Sequence, residues 1–234
     1  KRLINAFRAS SQIHSWGKLK MVAADISESF CIKLIQDFAA TILCKRSRDA
    51  LYNIVLPVGT QGSVASLIDG YTLHSSILLR PNAGKAAIAK WAQKLEVTRI
   101  IIVDEMSLLN TNMLVDLDKS LKKIRLALNP IDGNDTATNN AINQRLGNMP
   151  FGGFHIVLAG DFYQIAPVLP HSLAKINLSR HTGIEMQDEG KLLFTQHFDY
   201  FVELTENMRI QGSANAEYAK TVQKCRILRA NREK

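Results

Sequence analysis

Cysteine is scarce in this chain. Its 234 residues hold three, Cys31, Cys44 and Cys225. An odd number without metal-ligand spacing speaks against a disulfide framework and a zinc site, and predicts free thiols in a reducing compartment, acting as small apolar fillers. No apolar run approaches the ~20 residues of a membrane helix, and no secretory signal pattern opens the chain. The first residue is Lys1 rather than Met, which predicts a piece of a longer protein. Acidic residues are outnumbered, 21 against 29 basic, leaving a net charge of +8 and a pI near 9.5. That balance favours polyanionic partners without saying which residues meet them. With 46% hydrophobic residues, the chain can bury one sizeable core and reads as a soluble globular unit, one α/β-sized domain rather than two.

What is present centres on Arg99-Ile-Ile-Ile-Val-Asp104-Glu105-Met-Ser107. An unalternating apolar run predicts a strand buried on both faces of a parallel sheet. Open α/β sheets bind ligands outside the carboxyl ends of their strands, so the acid pair suits a Mg²⁺–nucleotide site, Asp104 towards the metal and Glu105 towards a water. A second strand repeats the pattern: His155-Ile-Val-Leu-Ala-Gly160-Asp161-Phe-Tyr-Gln164-Ile-Ala-Pro167-Val ends in a glycine and an acid, with an amide three residues on to reach a phosphate.

These two segments, V-D-E-M-S and A-G-D-F-Y-Q-I-A-P-V, closely resemble motifs II and III of superfamily 1 DNA helicases of the PIF type, including the helicase region of Helitron transposons. The resemblance implies a RecA-like P-loop NTPase fold, a parallel sheet with helices on both faces, and a nuclear or mitochondrial location if the source is eukaryotic. It also implies ATP-dependent 5′-to-3′ DNA unwinding in repair, recombination or telomere maintenance, with Mg²⁺ and ATP as cofactors and single-stranded DNA as partner. Gln164 would then sense the γ-phosphate, and Asp161 would belong to the nucleotide site.

Leu19–Ala24 reads as the first strand and Phe30–Ile42 as a helix with Ile32, Leu34, Ile35, Phe38 and Ile42 on its apolar face. A phosphate-binding loop between them needs glycines, a lysine and a Ser/Thr for Mg²⁺. The chain offers Ala24-Asp25-Ile26-Ser27-Glu28-Ser29. With Ser29 on the motif's serine, Glu28 occupies the lysine position, Ser27 the preceding glycine and Ile26 the threonine, and the loop is about three residues short. An anion in place of a cation, with Asp25 beside it, turns attraction for a triphosphate into repulsion. As a plain helix start the turn is sound: Ser27 caps it and Glu28 suits the helix dipole.

After a basic connection, Tyr52–Leu56 with Pro57 reads as the second strand. Gly62–Ser75 then resembles motif Ia of the same helicases, a pattern close to T-G-x-A-A-x-x-I-x-G-x-T-x-H-S; Gly62, Ala65, Ile68, Gly70, Thr72, His74 and Ser75 fall on it, and Gln61, Val64 and Asp69 depart. In the family this segment contacts the backbone of single-stranded DNA, which implies that role for Gly62, Thr72, His74 and Ser75. Asn82–Leu95 favours a helix or two short ones with a solvated lysine surface and Trp91 available to the core. Asn110–Leu128 is amphipathic, with Met113, Leu114, Leu117, Leu121, Ile124 and Leu128 on one face and Lys119, Lys122, Lys123 and Arg125 on the wet side. Residues 130–149 read as a flexible loop insertion, and 169–193 as a polar excursion without chemistry. Gln12, on an amphipathic N-terminal stretch, stands where the family places an adenine-reading glutamine, but its surroundings do not reproduce that motif.

Tyr200–Leu204 reads as a strand leading into L-T-E-N-M-R, which resembles motif IV and implies that Arg209 approaches the γ-phosphate. Residues 216–229 read as a basic helix. The division expected is a first RecA-like domain over 1–204 and the start of a truncated second domain over 205–234, motifs V and VI having no counterpart. Two functions follow: a fragment of an ATP-dependent helicase defective in ATP binding, or a non-catalytic helicase-derived module with weak affinity for single strands. Asp104, Glu105, Asp161, Gln164 and Arg209 favour the first; Asp25, Ser27 and Glu28 favour the second.

Overall fold

The computed structural model describes residues 54–77, 83–128, 136–162, 164, 167, 171–176 and 184–201, with Glu217, Tyr218, Lys220, Thr221 and Lys224. The expected first strand at 19–24, the turn carrying Glu28 and Ser29, the helix at 30–42 and Arg209 lie outside these residues.

Strands β1 (Val55–Gly59), β2 (Tyr71–Thr72), β3 (Ile100–Asp104) and β4 (His155–Leu158) form one parallel sheet in the order β2-β1-β3-β4. Parallel neighbours need crossover connections, and the chain supplies helices for them. These are α1 (Gly62–Leu67), α2 (Lys85–Lys94), α3 (Thr111–Leu128) and α4 (Thr136–Asn148), with α5 (Glu185–His197) following the sheet. The acidic strand β3 is flanked by β1 and β4, all its residues are buried, and β4 runs beside it in register from Ile100–His155 to Val103–Leu158. Val58, Ile101, Val103, Ile156 and Leu158 point one way, into a core completed by Trp91, Leu95, Leu114, Leu117, Leu121, Ile124 and Phe194. Val55, Ile100, Ile102 and Val157 point the other way and are buried too. Burial on both faces is why β3 shows no polar alternation.

Helix α3 is the main prop of that core. Asn110 caps it, its side-chain oxygen accepting the Met113 N–H at 2.8 Å, which satisfies one of the free amides of the first turn. Leu114, Leu117, Leu121 and Ile124 are fully buried along one stripe, each contributing roughly 1.5–3 kcal/mol of burial before entropy is set against it. Trp91, the core residue expected in α2, is buried at 7% exposure.

Several expectations are corrected. The second strand lies at Val55–Gly59, about three residues later than read, and passes through Pro57. Pro57 is tolerated because residues 54, 56 and 58 turn their amides towards β3, as the Arg99 N–H to Ile54 carbonyl bond at 2.9 Å shows, while 57 turns towards β2. Pairing with β2 starts at Val58, so the missing donor faces a point where no ladder has begun. Residues 136–148 of the expected loop insertion are helix α4. The stretch contains no proline, and the helix stops where Met149 turns extended (φ −71°, ψ 130°) before Pro150. The polar excursion gives way to α5 from Glu185, whose Leu193 and Phe194 are buried. Asp199–Phe201 have no strand structure. Arg125 is not on a wet side: its Nε donates to the Gly152 carbonyl at 2.8 Å and its guanidinium stands 4.0 Å over the Phe154 ring.

That arginine belongs to a latch. Pro150–Gly153 forms a tight 3-10 turn in which Phe151 (φ 52°) and Gly152 (φ 59°) are left-handed. A Cβ on Gly152 would stand 2.7 Å from the Leu121 carbonyl oxygen, so the turn lies against the α3 backbone where only glycine fits. The Phe151 N–H donates to the buried Asp118 carboxylate at 2.6 Å, and Lys122 pairs with the other oxygen at 2.7 Å. The chain enters β4 directly from this fixing point.

Candidate functional site

Asp104 closes β3 and is 3% exposed. One of its oxygens accepts the N–H of Glu105 at 2.8 Å, and among the described residues it forms no ion pair. Glu105 itself is left-handed (φ 58°, ψ 51°), a conformation costing a non-glycine residue on the order of 1 kcal/mol or more. This residue bends the chain sharply after the strand, so that the Met106 N–H reaches the Ala159 carbonyl at 2.8 Å. The loop after β3 is thereby stapled to the loop after β4.

Gly160 makes the staple sterically possible. Its φ of 137° and the 2.8 Å at which a Cβ would meet the Met106 nitrogen both require glycine. Asp161 follows, 8% exposed, and its carbonyl accepts the Gln164 N–H at 3.0 Å, closing a turn. Asp104, Glu105, Asp161 and Gln164 are therefore on one end of two adjacent parallel strands, the carboxyl end.

Two groups at this end escaped the sequence reading. The Thr60 hydroxyl, one residue beyond β1, and the Ser107 hydroxyl, just after β3, are buried without a hydrogen-bond partner among the described residues. Thr60 follows Gly59, the register partner of Asp104. Buried hydroxyls ordinarily find partners, so both mark the carboxyl end as a place with polar groups to spare. Ending the second strand at Pro57 hid Thr60; a strand carried on to Gly59 would have found it.

The Gly62–Ser75 segment sits at the same end of the sheet but on its surface. Gly62 opens α1 with open space around its Cα. Thr72 ends β2, and the chain then turns on its own hydroxyls: Thr72 and Ser75 share a hydrogen bond of 2.5 Å, and the Ser76 hydroxyl donates to the Thr72 carbonyl at 2.7 Å. His74 and Ser75 project to solvent from this turn. The structure thus separates the two groups of candidates, buried acids at the ends of β3 and β4 and exposed neutral donors beyond β2. Glu28, Ser29 and Arg209 lie outside the described residues. No group of three metal-ligating side chains occurs among the described residues.

Comparison with known proteins gives the family and the fold. The PIF1-like helicase family matches residues 38–228. The ATP-dependent DNA helicase PIF1 of Candida albicans is 27% identical over 158 residues, covering 62% of this chain and 14% of that protein. The ATP-dependent DNA helicase RRM3 of Saccharomyces cerevisiae is 25% identical over 179 residues, covering 69% of this chain and 21% of that protein. This chain therefore spans only about a fifth or less of the length of these relatives. In fold it resembles Bacteroides Pif1 bound to ssDNA, with a TM-score of 0.59 at 17% identity over 96% of this chain and 44% of the other. The crystal structure of Pif1 helicase from Candida albicans gives 0.56 at 18%, over 96% and 43%. A family match that takes in both acidic strand ends and the turn beyond β2 makes this chain a member of the PIF1-like helicase family.

Proposed function

We propose that this chain is the first motor domain of a PIF-type ATP-dependent 5′-to-3′ DNA helicase, one that keeps the acidic half of the nucleotide site and has lost the phosphate-gripping half. The observation carrying this reading is Asp104, a buried carboxylate at a carboxyl strand end with no described cation to balance it. Burying a charge unpaired is costly, and a divalent metal is the usual remedy. The donor set on β3 fits a Mg²⁺ ion, which when bound would neutralise phosphate charge. The sequence of the 24–29 turn does not fit the phosphates it would have to wrap, because Glu28 and Asp25 repel them and Ser27 and Ile26 replace residues the wrap requires.

Within this reading Asp104 holds the metal, Ser29 offers it a hydroxyl, and Glu105 is set by its left-handed backbone to orient a water. Gln164 and Asp161 face the nucleotide from the neighbouring strand, and Arg209 meets its outermost charge. Gly62, Thr72, His74 and Ser75 bind the sugar–phosphate backbone of a single strand, where contacts are strongly salt-dependent and indifferent to sequence. Unwinding would need the second motor domain, since a single domain cannot alternately grip and release a strand. A nuclear or mitochondrial setting follows if the source is eukaryotic.

Calorimetry with Mg-ATP tests the reading on three proteins: the chain itself, its Glu28→Lys variant, and a version whose 24–29 turn is rebuilt as a full glycine-rich loop. The chain should show no measurable binding, the single substitution little recovery, and the rebuilt loop clear binding through Ser29, Asp104 and Gln164. Losing ~3–4 kcal/mol at the loop corresponds to several-hundred-fold weaker binding. Micromolar affinity in the unmodified chain would overturn the impaired-site reading. No gain in the rebuilt chain would show that the acidic half has decayed as well.

A further inference from the structure

The DNA-facing candidates so far are backbone contacts, yet the residue immediately before Thr72 is a large aromatic. Tyr71 pairs with Val58, so its side chain stands on the same face of the sheet as the core and meets α2. Its ring lies edge-to-face with Trp91 at 5.5 Å and 89°. The ammonium of Lys94 stands 4.8 Å from the centroids of both rings. Trp91 is 7% exposed and Tyr71 43%, so a buried ring anchors an exposed one. A tyrosine fixed in this way has little rotamer freedom left to lose on meeting a ligand.

The surroundings match a nucleic-acid strand. Helix α2 carries Lys85, Lys90 and Lys94, all exposed, and no acidic residue. On the other side Thr72, His74 and Ser75 offer polar groups from the turn. The only carboxylate in residues 62–77 is the exposed Asp69, which opposes phosphate at one edge of the patch. Polar groups in the turn that follows Tyr71, a cation beside its ring and a pinned aromatic face are the parts of a stacking platform.

We propose that Tyr71, held by Trp91 and Lys94, stacks against one unpaired nucleobase of a DNA strand whose backbone runs along the Thr72–Ser75 turn. This rests on the reading of that turn as a backbone contact. The base face is read by its π surface, so any of the four bases serves.

Fluorescence anisotropy at low salt tests it, using a labelled oligothymidylate and an oligonucleotide of equal length made of abasic sites. The full chain should bind oligothymidylate more tightly than the abasic strand. Tyr71→Leu retains an apolar side chain against Trp91 but has no π face; it should lose roughly 5- to 150-fold on oligothymidylate, the equivalent of about 1–3 kcal/mol for one stacked base, and nothing on the abasic strand. Tyr71→Phe should behave as the unmodified chain. Equal affinity of the unmodified chain for the two strands, or equal loss on both in Tyr71→Leu, overturns the stacking site and leaves the backbone contact standing. Failure to bind either strand overturns both.

Discussion

Asp104 and Asp118 are equally hidden, at 3% and 1% exposure, and they are met in opposite ways. Asp118, on α3, accepts the buried Phe151 N–H at 2.6 Å and pairs with Lys122 at 2.7 Å. Asp104, at the end of β3, accepts one N–H from its own successor and forms no ion pair among the described residues. A buried carboxylate is costly unless it is paired and hydrogen-bonded. For Asp118 that cost is met by a backbone amide and a lysine, whereas at Asp104 no described residue supplies a cation. The first is therefore a piece of architecture, and the second is the group that the proposed function gives to a metal.

The two positions should therefore respond oppositely to substitution. Asp118→Ala orphans a buried amide and a half-buried ammonium and should destabilise the chain by about 2–4 kcal/mol in urea unfolding; a loss below about 1 kcal/mol would erase the distinction. Asp104→Asn keeps the acceptor for Glu105 and removes a charge that no described residue balances. Its stability should be unchanged or higher by up to about 1 kcal/mol, and a loss as large as that at Asp118 would show that the charge is balanced after all.

A partly buried ionisable group, His155 on β4, sharpens the comparison by titration. Burial, and then the Arg125 guanidinium, hold the His155 imidazole below its ordinary 6.5. A base with a lowered native pKa contributes stability that is present above about pH 6.5 and lost as the pH falls towards its native pKa. Urea midpoints taken at about pH 7.5 and pH 5.5 should therefore fall more for the unmodified chain than for His155→Gln; equal falls would mean the imidazole protonates without penalty. The smallest effect belongs to Lys119, whose ammonium meets Glu189 at 3.0 Å between α3 and α5 with both side chains well exposed. Lys119→Ala should cost about 0–0.5 kcal/mol, and a larger change would mean that solvent exposure does not set the worth of these ion pairs.

The strand ending in Asp104 and its neighbour leading into Gly160-Asp161 were legible because their chemistry is local: an apolar run, then an acid. The α3 stripe was legible for the same reason. Asp118 was overlooked although it sits four residues after Leu114 and three before Leu121, in the middle of that stripe, where a lone acid on an apolar face signals a buried partner. Helix α4 was illegible because its asparagines and threonines are turn-prone. Arg125 read as solvent-facing because its partners, Gly152 and Phe154, lie far along the chain. Pro57 misplaced β1 because the side on which its missing N–H falls is a property of the sheet and not of the strand.

The Phe151–Asp118 contact also bears on how this chain tolerates change over time. The chain leaves α3 at Leu128 and is back against it at Pro150–Gly153, where it is pinned by contacts made directly to the α3 backbone and side chains. Closing a flexible connection twice as long costs only about 0.6 kcal/mol more, and the pin restores the register of β4 whatever has been inserted. The connection is thus free to drift in length, gaining a helix such as α4 or losing one, while the segment after β4 stays joined to the end of β3 through the Met106–Ala159 bond. A lineage can lengthen or shorten this segment without disturbing the geometry at the far end of the sheet.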